Sequence, residues 1–250
     1  MQPDDLLARQ RCEINFWRDS PHERPQSQSL ESVINKAAEA AILLHLLQVY
    51  QTDFDRAGDI LELGGGQGWA ACIAKRKFPR AAVTTTDISS YALASLPKWE
   101  RIFNAHLDGA HACRSYEIPV RDESYDLVFC FAAAHHFGAH RRTLSELRRI
   151  LRPNGVVLYL YEPSCPRLLY GPAVERVRRK RPEVPEDVLI PSQIRALAKE
   201  SGLSLEVRFY PSVQYRSPGA LLYYSVLARL AWLQKVLPCT ANFRFTKPAA

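Results

Sequence analysis

Asp59-Ile60-Leu61-Glu62-Leu63-Gly64-Gly65-Gly66-Gln67-Gly68 is the stretch that decides the fold. Ile60, Leu61 and Leu63 form the apolar run of a short buried strand, which enters a glycine-rich turn. Glycine reaches backbone angles that other residues avoid, and it leaves no side chain between backbone and ligand. From Trp69 to Phe78 the spacing of Ala70, Ile73, Ala74 and Phe78 predicts a helix with one buried face. A strand, a glycine turn and a helix start form a small-ligand cradle at the carboxyl end of a parallel sheet. The dinucleotide pattern Gly-x-Gly-x-x-Gly fails, because its last position, counted from Gly64, is Trp69. The phosphate loop fails too, since Trp69 and Ala70 follow Gly68 in place of Lys and Ser or Thr. The pattern that fits is acid-x-Gly-x-Gly-x-Gly, at Glu62, Gly64, Gly66 and Gly68.

This spacing resembles the first motif of class I S-adenosylmethionine-dependent methyltransferases. A second apolar run, residues 81–86, ends at Asp87. That is about 20 residues past the loop, where nucleotide-type βαβ folds place a ribose-binding acid. A carboxylate accepts two hydrogen bonds from a cis-diol. Ile88 beside it offers an apolar plate for adenine. The other reading of Asp87 is a helix N-cap before Ser89-Ser90-Tyr91.

Further along, Ile118-Pro119-Val120 and Ser124-Tyr125-Asp126 match the family's entry to strand four, at 127–131. His135-His136-Phe137, a basic helix at 140–151, Leu151-Arg152-Pro153-Asn154-Gly155 and strand five at 156–161 continue the likeness, with Asn154 replacing a common glycine. The family's adenine-binding acid falls near Arg114 or Ser115, neither of them acidic, so backbone around Ser115 and Tyr116 is expected to take its place.

The resemblance implies an α/β fold, doubly wound and Rossmann-like. It has a mostly parallel seven-stranded sheet with the last strand antiparallel, and helices on both faces. The chain divides as one domain: an arm and cap helix (1–55), a cofactor-binding core (56–162) and substrate-side inserts (163–191 and 211–241). The implied cofactor is S-adenosyl-L-methionine, held by Glu62, Gly64, Gly66, Gly68, Asp87, Ile88, Ser115 and Phe131.

Methyl transfer to oxygen needs the acceptor held in line with the methyl group and a base for its proton. His135 and His136 stand just past strand four, where the methyl is expected to point, and His136 is preferred. Their alternative is a structural role. Glu162 is a second candidate base, with helix capping or a structural hydrogen bond as its alternative. The expected acceptor is a small molecule, anionic or lipid-linked: a natural product, a sugar or glycolipid, or a quinone-like lipid. The competing classes are a nucleic-acid or protein methyltransferase and a non-catalytic S-adenosylmethionine-binding protein. The first would carry an Asn/Asp-Pro-Pro-aromatic turn after strand four, where this chain has Ala132-Ala133-Ala134-His135.

The formal charge of +7 suits an anionic substrate or a membrane surface. The six cysteines are scattered, with no Cys-x-x-Cys pair and no metal-ligand spacing with histidine, so no metal is expected. Such thiols and the polar first residues point to the cytoplasm. The basic cluster Arg176, Arg178, Arg179, Lys180 and Arg181 reads as a solvated run or as an anion site. Residues 217–237 are apolar but interrupted, fitting an interfacial membrane contact, a pocket roof or a partner subunit.

Residues 1–28 read as an irregular arm anchored by Phe16 and Trp17, with Pro21 and Pro25 opposing a long helix. Ser29 should cap a helix over 30–50, with Leu30, Val33, Ile34, Ala37, Ala38 and Ala41 buried and Asn35 and Lys36 on a solvated face. Gly155 is expected to close the basic helix in a left-handed cap. Residues 163–191 are expected to be irregular, and Ser192 should cap a helix through Glu200.

Overall fold

The computed structural model describes residues 3–27, 29–180, 182–214 and 216–249. The expectations placed on Gln28 and Arg181 lie outside these residues. In chain order the elements are α1 (Pro3–Asp19), α2 (Leu30–Val49), α3 (Gln51–Asp55), β1 (Asp59–Leu63), α4 (Trp69–Lys77), β2 (Ala82–Asp87), α5 (Ser90–Leu93), α6 (Leu96–Phe103) and β3 (Gly109–Ala112). Then come β4 (Tyr125–Phe131), α7 (His140–Ile150), β5 (Leu151–Ser164), α8 (Tyr170–Lys180), α9 (Pro191–Glu200), β6 (Ser204–Phe209), α10 (Pro218–Arg229), α11 (Leu233–Val236) and β7 (Cys239–Thr246).

The seven strands form one sheet in the order β3-β2-β1-β4-β5-β7-β6. β1 pairs in parallel with β2 and β4, and β4 with β5, while β7 runs antiparallel to both β5 and β6. The expected doubly wound architecture is therefore present. Leu61, Leu63, Val128 and Val157 face one layer with Leu144, Leu147 and Ile194 of α7 and α9. Ile60, Leu127, Phe129 and Leu158 face the other, with Leu43, Leu46 and Leu47 of α2 and Ile73 of α4. Within that layer Phe54 stacks on Phe78 at 4.9 Å. Fully burying one such ring stabilises by about 2–3 kcal/mol. At the amino end of the strands Arg152 donates to both Asp59 and Asp126, at 2.8 and 2.9 Å, and ties β1 to β4. The opposite edge of the sheet is left for the site.

Four local expectations need correction. The N-terminal arm is a helix over most of its length, because Pro21 and Pro25 come after its last residue, Asp19. Ser29 does cap α2, accepting from the Ser32 amide, but the buried residues are Ile42, Leu43, Leu46 and Leu47. Leu30, Val33 and Ile34 are exposed, since the first half of α2 reaches past the core to the site. Asn154 adopts the left-handed backbone (φ +64) expected of Gly155, and a side chain on Gly155 would meet the Arg152 carbonyl at 2.8 Å. The segment 163–191 contains α8, and α9 begins at Pro191, with Ile190 and not Ser192 at the cap. Arg149 of α7 is half-buried and donates to the Ile118 and Val120 carbonyls at 3.0 and 2.8 Å.

Candidate active site

A cavity of about 1300 Å³ opens at the carboxyl ends of β1, β2, β4 and β5. Gly64, Gly65 and Gly66 form its floor. The Gly65 amide donates to the Thr86 carbonyl at 2.8 Å and so pins the turn to β2. Any side chain on Gly65 would collide with Glu62 and Thr85, so that position admits only glycine. Gly66 is left-handed (φ +55), and a Cβ there would reach the Trp17 ring at 3.0 Å. Trp17 of α1 thus roofs the loop.

Asp87 lines the cavity at the tip of β2 and is 7% exposed. Its two oxygens accept from the Gly66 amide at 2.9 Å and the Ser89 amide at 2.8 Å. The carboxylate therefore fastens the glycine turn to Ser89, and Ser89, not Asp87, caps α5. Burial, opposed by those two amides, pushes its carboxyl up to about 6. Ile88, Ser115 and Phe131 line the same cavity. Ser115 shares a hydrogen bond with Thr143 at 2.8 Å, and Phe131 stacks on Tyr161 at 5.8 Å.

Glu62 and Gly68 are not brought to the wall. Glu62 stands behind the loop, 2% exposed, and accepts from the Thr85 hydroxyl at 2.7 Å. Burial pushes it up to about 7. Gly68 turns the chain into α4 at φ +80 and packs under Leu96. Both support the loop from below.

Past β4 the chain turns at Ala132, which is left-handed (φ +49), into a single helical turn, Ala134–His136. Glu162 organises this turn. A bulge in β5, with Tyr161 at φ +59, redirects the strand there. Glu162 is fully buried and accepts from the amides of Ala133, Ala134 and His135 at 2.9, 2.9 and 3.1 Å. It also binds His135 Nδ1 at 2.8 Å. Burial opposes its charge, but His135 and the amides outweigh burial and hold it below the usual carboxylate range. With every contact directed at the turn, Glu162 is a structural anchor.

His135 Nε2 faces Glu186 Oε2 at 3.1 Å. Burial opposes its protonation, yet the bonds to Glu162 and Glu186 raise the imidazole to about 9. With both carboxylates facing it, the ring is a cation at neutral pH and not a proton acceptor. His136 pairs with Glu13 of α1 at 2.7 Å, its ring 4.1 Å from that of His135. Both histidines, Glu13 and Glu186 line the cavity.

The remaining wall is basic and aromatic. Arg216 lies 3.9 Å over the Tyr224 ring and donates to the Tyr161 hydroxyl at 2.9 Å. Burial, with Arg176 and Arg216 nearby, pulls Lys180 below the ordinary lysine value. Among the described residues none of Arg176, Lys180 and Arg216 has a carboxylate partner. Arg178 and Arg179 turn elsewhere, to the Glu186 carbonyl and to Glu175. Asn35 and Lys36, expected on a solvated face, line the cavity, and Lys36 pairs with Glu23 at 3.3 Å.

Residues 61–159 match the family model described as a methyltransferase domain. Over these residues the chain is similar to methyltransferase domains. It is 32% identical to the demethylmenaquinone methyltransferase of Thermotoga maritima over 110 residues, 43% of this chain and 46% of that protein. It is 29% identical to the malonyl-[acyl-carrier protein] O-methyltransferase of Priestia megaterium over 106 residues, 42% and 37% of the two chains. The chain thus spans less than half the length of these curated relatives. Phosphoethanolamine N-methyltransferase 2 of Haemonchus contortus, solved with S-adenosyl-L-methionine, shares the methyltransferase fold. Its TM-score is 0.63 at 18% identity, with 94% of this chain and 60% of that one covered.

Outside the stretch this chain shares with its relatives, sequence reasoning passed over Glu13, Glu186 and Arg216. The only signal for Glu13 was the spacing of Leu6, Gln10, Glu13 and Trp17, all of which line the cavity from one face of α1. That face is largely polar, so an apolar-stripe search does not find it.

Proposed function

We propose that this protein transfers a methyl group from S-adenosylmethionine to an oxygen of a small molecule that is anionic or lipid-linked. The observation that carries the reading is one cavity that Gly66 and Asp87 line together with His136 and Arg216. The cofactor end suits an adenosyl group. Gly64 and Gly66 present bare backbone, and Asp87 has lone pairs left for a ribose diol after its two amide bonds. Ile88 suits an adenine face, and the backbone of Ser115 and Tyr116 its edge. Phe131 closes that end of the cavity. The cofactor supplies a methyl group made electrophilic by a sulfonium.

The chain's own tasks are to hold the acceptor oxygen in line, exclude water and receive its proton. His136, beside Glu13, lines the cavity and suits the last of these. Arg176, Lys180 and Arg216 suit a phosphate or carboxylate on the acceptor, beside an apolar body packed on Tyr223 and Tyr224. Among the described residues no helix is long and apolar enough to cross a membrane. α10 nevertheless exposes Leu221, Leu222 and Val226, while Ala220, Tyr223 and Tyr224 line the cavity. A helix with these two faces suits peripheral contact with a lipid surface that supplies the acceptor.

The test is calorimetry with S-adenosylmethionine, followed by mass spectrometry of an acceptor library scored for a methyl mass gain. Micromolar binding with methylation of hydroxylated anions or lipids supports the proposal. Binding without any turnover would favour a non-catalytic role.

A further inference from the structure

We propose that His135, His136 and Glu186, with Glu13 beside His136, bind one divalent transition-metal ion at the acceptor end of the cavity. Ligand atoms of His135, His136 and Glu186 all lie within 4.8 Å of one another. His135 Nε2 and Glu186 Oε2 are 3.1 Å apart, and His136 Nδ1 and Glu13 Oε1 are 2.7 Å apart. Nitrogen and oxygen ligands at about 2.0–2.2 Å from one ion stand roughly 3 Å from each other. His135, His136 and Glu186 are therefore gathered at the spacing a shared ion requires, with Glu13 against His136.

Hydrogen bonding does not explain the whole arrangement. Glu13 Oε1 and His136 Nδ1 are buried and close, yet neither makes a hydrogen bond of acceptable geometry. Buried polar atoms left in this state are costly. A cation held beside them lowers that cost.

The surroundings have the form that holds a metal-binding imidazole. Such a ring almost always gives its second N–H to a carboxylate, which fixes its tautomer and aim. Glu162 does this for His135 Nδ1 at 2.8 Å and is itself held by three backbone amides. His135 Nε2 is then left as the ligand atom, directed at Glu186. Imidazole with carboxylate suits zinc, manganese or ferrous iron, whereas magnesium and calcium favour all-oxygen sets.

Glu13, His135, His136 and Glu186 all border the cavity, so the ion keeps an open side facing it. An acceptor with two adjacent oxygens, such as a vicinal diol or a catechol-like ring, would chelate there and its hydroxyl would become more acidic. This use of the ion rests on the methyl-transfer reading; the binding itself does not. Spacing of histidine and cysteine along the chain gave no hint of it, because separate segments supply the ligands.

The experiment titrates the EDTA-treated full chain with Zn²⁺ and, separately, Mn²⁺ by calorimetry, and measures retained metal by plasma mass spectrometry. The variants His136→Gln and Glu186→Gln are run alongside, each first checked for wild-type affinity for S-adenosylhomocysteine. Glu13→Gln, on the surface helix α1, replaces either one that misfolds. The expected result is one ion per chain, with affinity at least about tenfold weaker in each variant. No saturable binding by the wild type, or binding unchanged in the variants, overturns the proposal. Metal binding by a wild type that ignores S-adenosylhomocysteine would sustain this site and remove the cofactor reading instead.

Discussion

The two ends of the cavity are built in different ways. The cofactor end comes from successive strand ends of one parallel sheet: the loop after β1, Asp87 at the tip of β2, Phe131 at the tip of β4. Its geometry follows from the chain close by, since each piece needs only a strand, a turn and a helix start. The acceptor end collects Glu13 from α1, Arg176 from α8, Glu186 from the loop before α9, and Arg216 before α10. Only the tertiary fold brings them together. A fold of this kind keeps its cofactor machinery in the sheet and places acceptor recognition in the additions around it.

Perturbing one end should leave the other intact, and the largest effect is expected at the glycine loop. Gly66→Val puts a branched side chain at a left-handed position beneath Trp17. Cofactor affinity, measured by calorimetry, should fall at least about a hundredfold, equivalent to roughly 2.7 kcal/mol. Retained affinity would mean that the cofactor approaches elsewhere.

His136→Ala should slow methyl transfer by about a hundredfold or more. Cofactor affinity should stay within about twofold, because His136 is assigned to the acceptor end and not to the cofactor wall. Equal loss of binding and turnover would erase the proposed division of the cavity.

Asp87→Asn keeps the shape of the side chain but removes its charge. Cofactor binding should weaken by about tenfold, the scale of one hydrogen bond to a charged group. Acceptor KM should not change. Unaltered cofactor affinity would leave Asp87 only its role of fastening Gly66 and Ser89.

The smallest effect concerns Glu62. Burial raises its folded value to about 7 from an ordinary 4.5. Between these values the folded state holds a proton that the unfolded chain has released, so stability falls as pH rises through that window. Glu62→Gln is neutral throughout and should lose less thermal stability between pH 5 and pH 8, by a few degrees of Tm. Identical pH slopes for the two proteins would show that Glu62 does not titrate in that window.

The sequence was most readable where one segment did one job. Ile60, Leu61 and Leu63 gave the strand, the glycines gave the turn, and Asp87 ended the next apolar run at the right separation. Elements with two tasks were harder to read. α1 turns a largely polar face, with Gln10, Glu13 and Trp17, toward a cavity and so shows little apolar periodicity. α2 buries Leu43, Leu46 and Leu47 in the core but sends Asn35 and Lys36 to the site. Its apparent stripe at Leu30, Val33 and Ile34 therefore lay on the wrong half. Glu186 carried no local signal, since its meaning lies in His135 from a distant loop.

The most direct test of the central claim is a crystal structure with S-adenosylhomocysteine bound. The account predicts the ribose hydroxyls within hydrogen-bonding distance of Asp87, the backbone of Gly64–Gly66 against the ligand, and the sulfur directed toward His136. A ligand lying outside this cavity, or a ribose with no contact to Asp87, would contradict it.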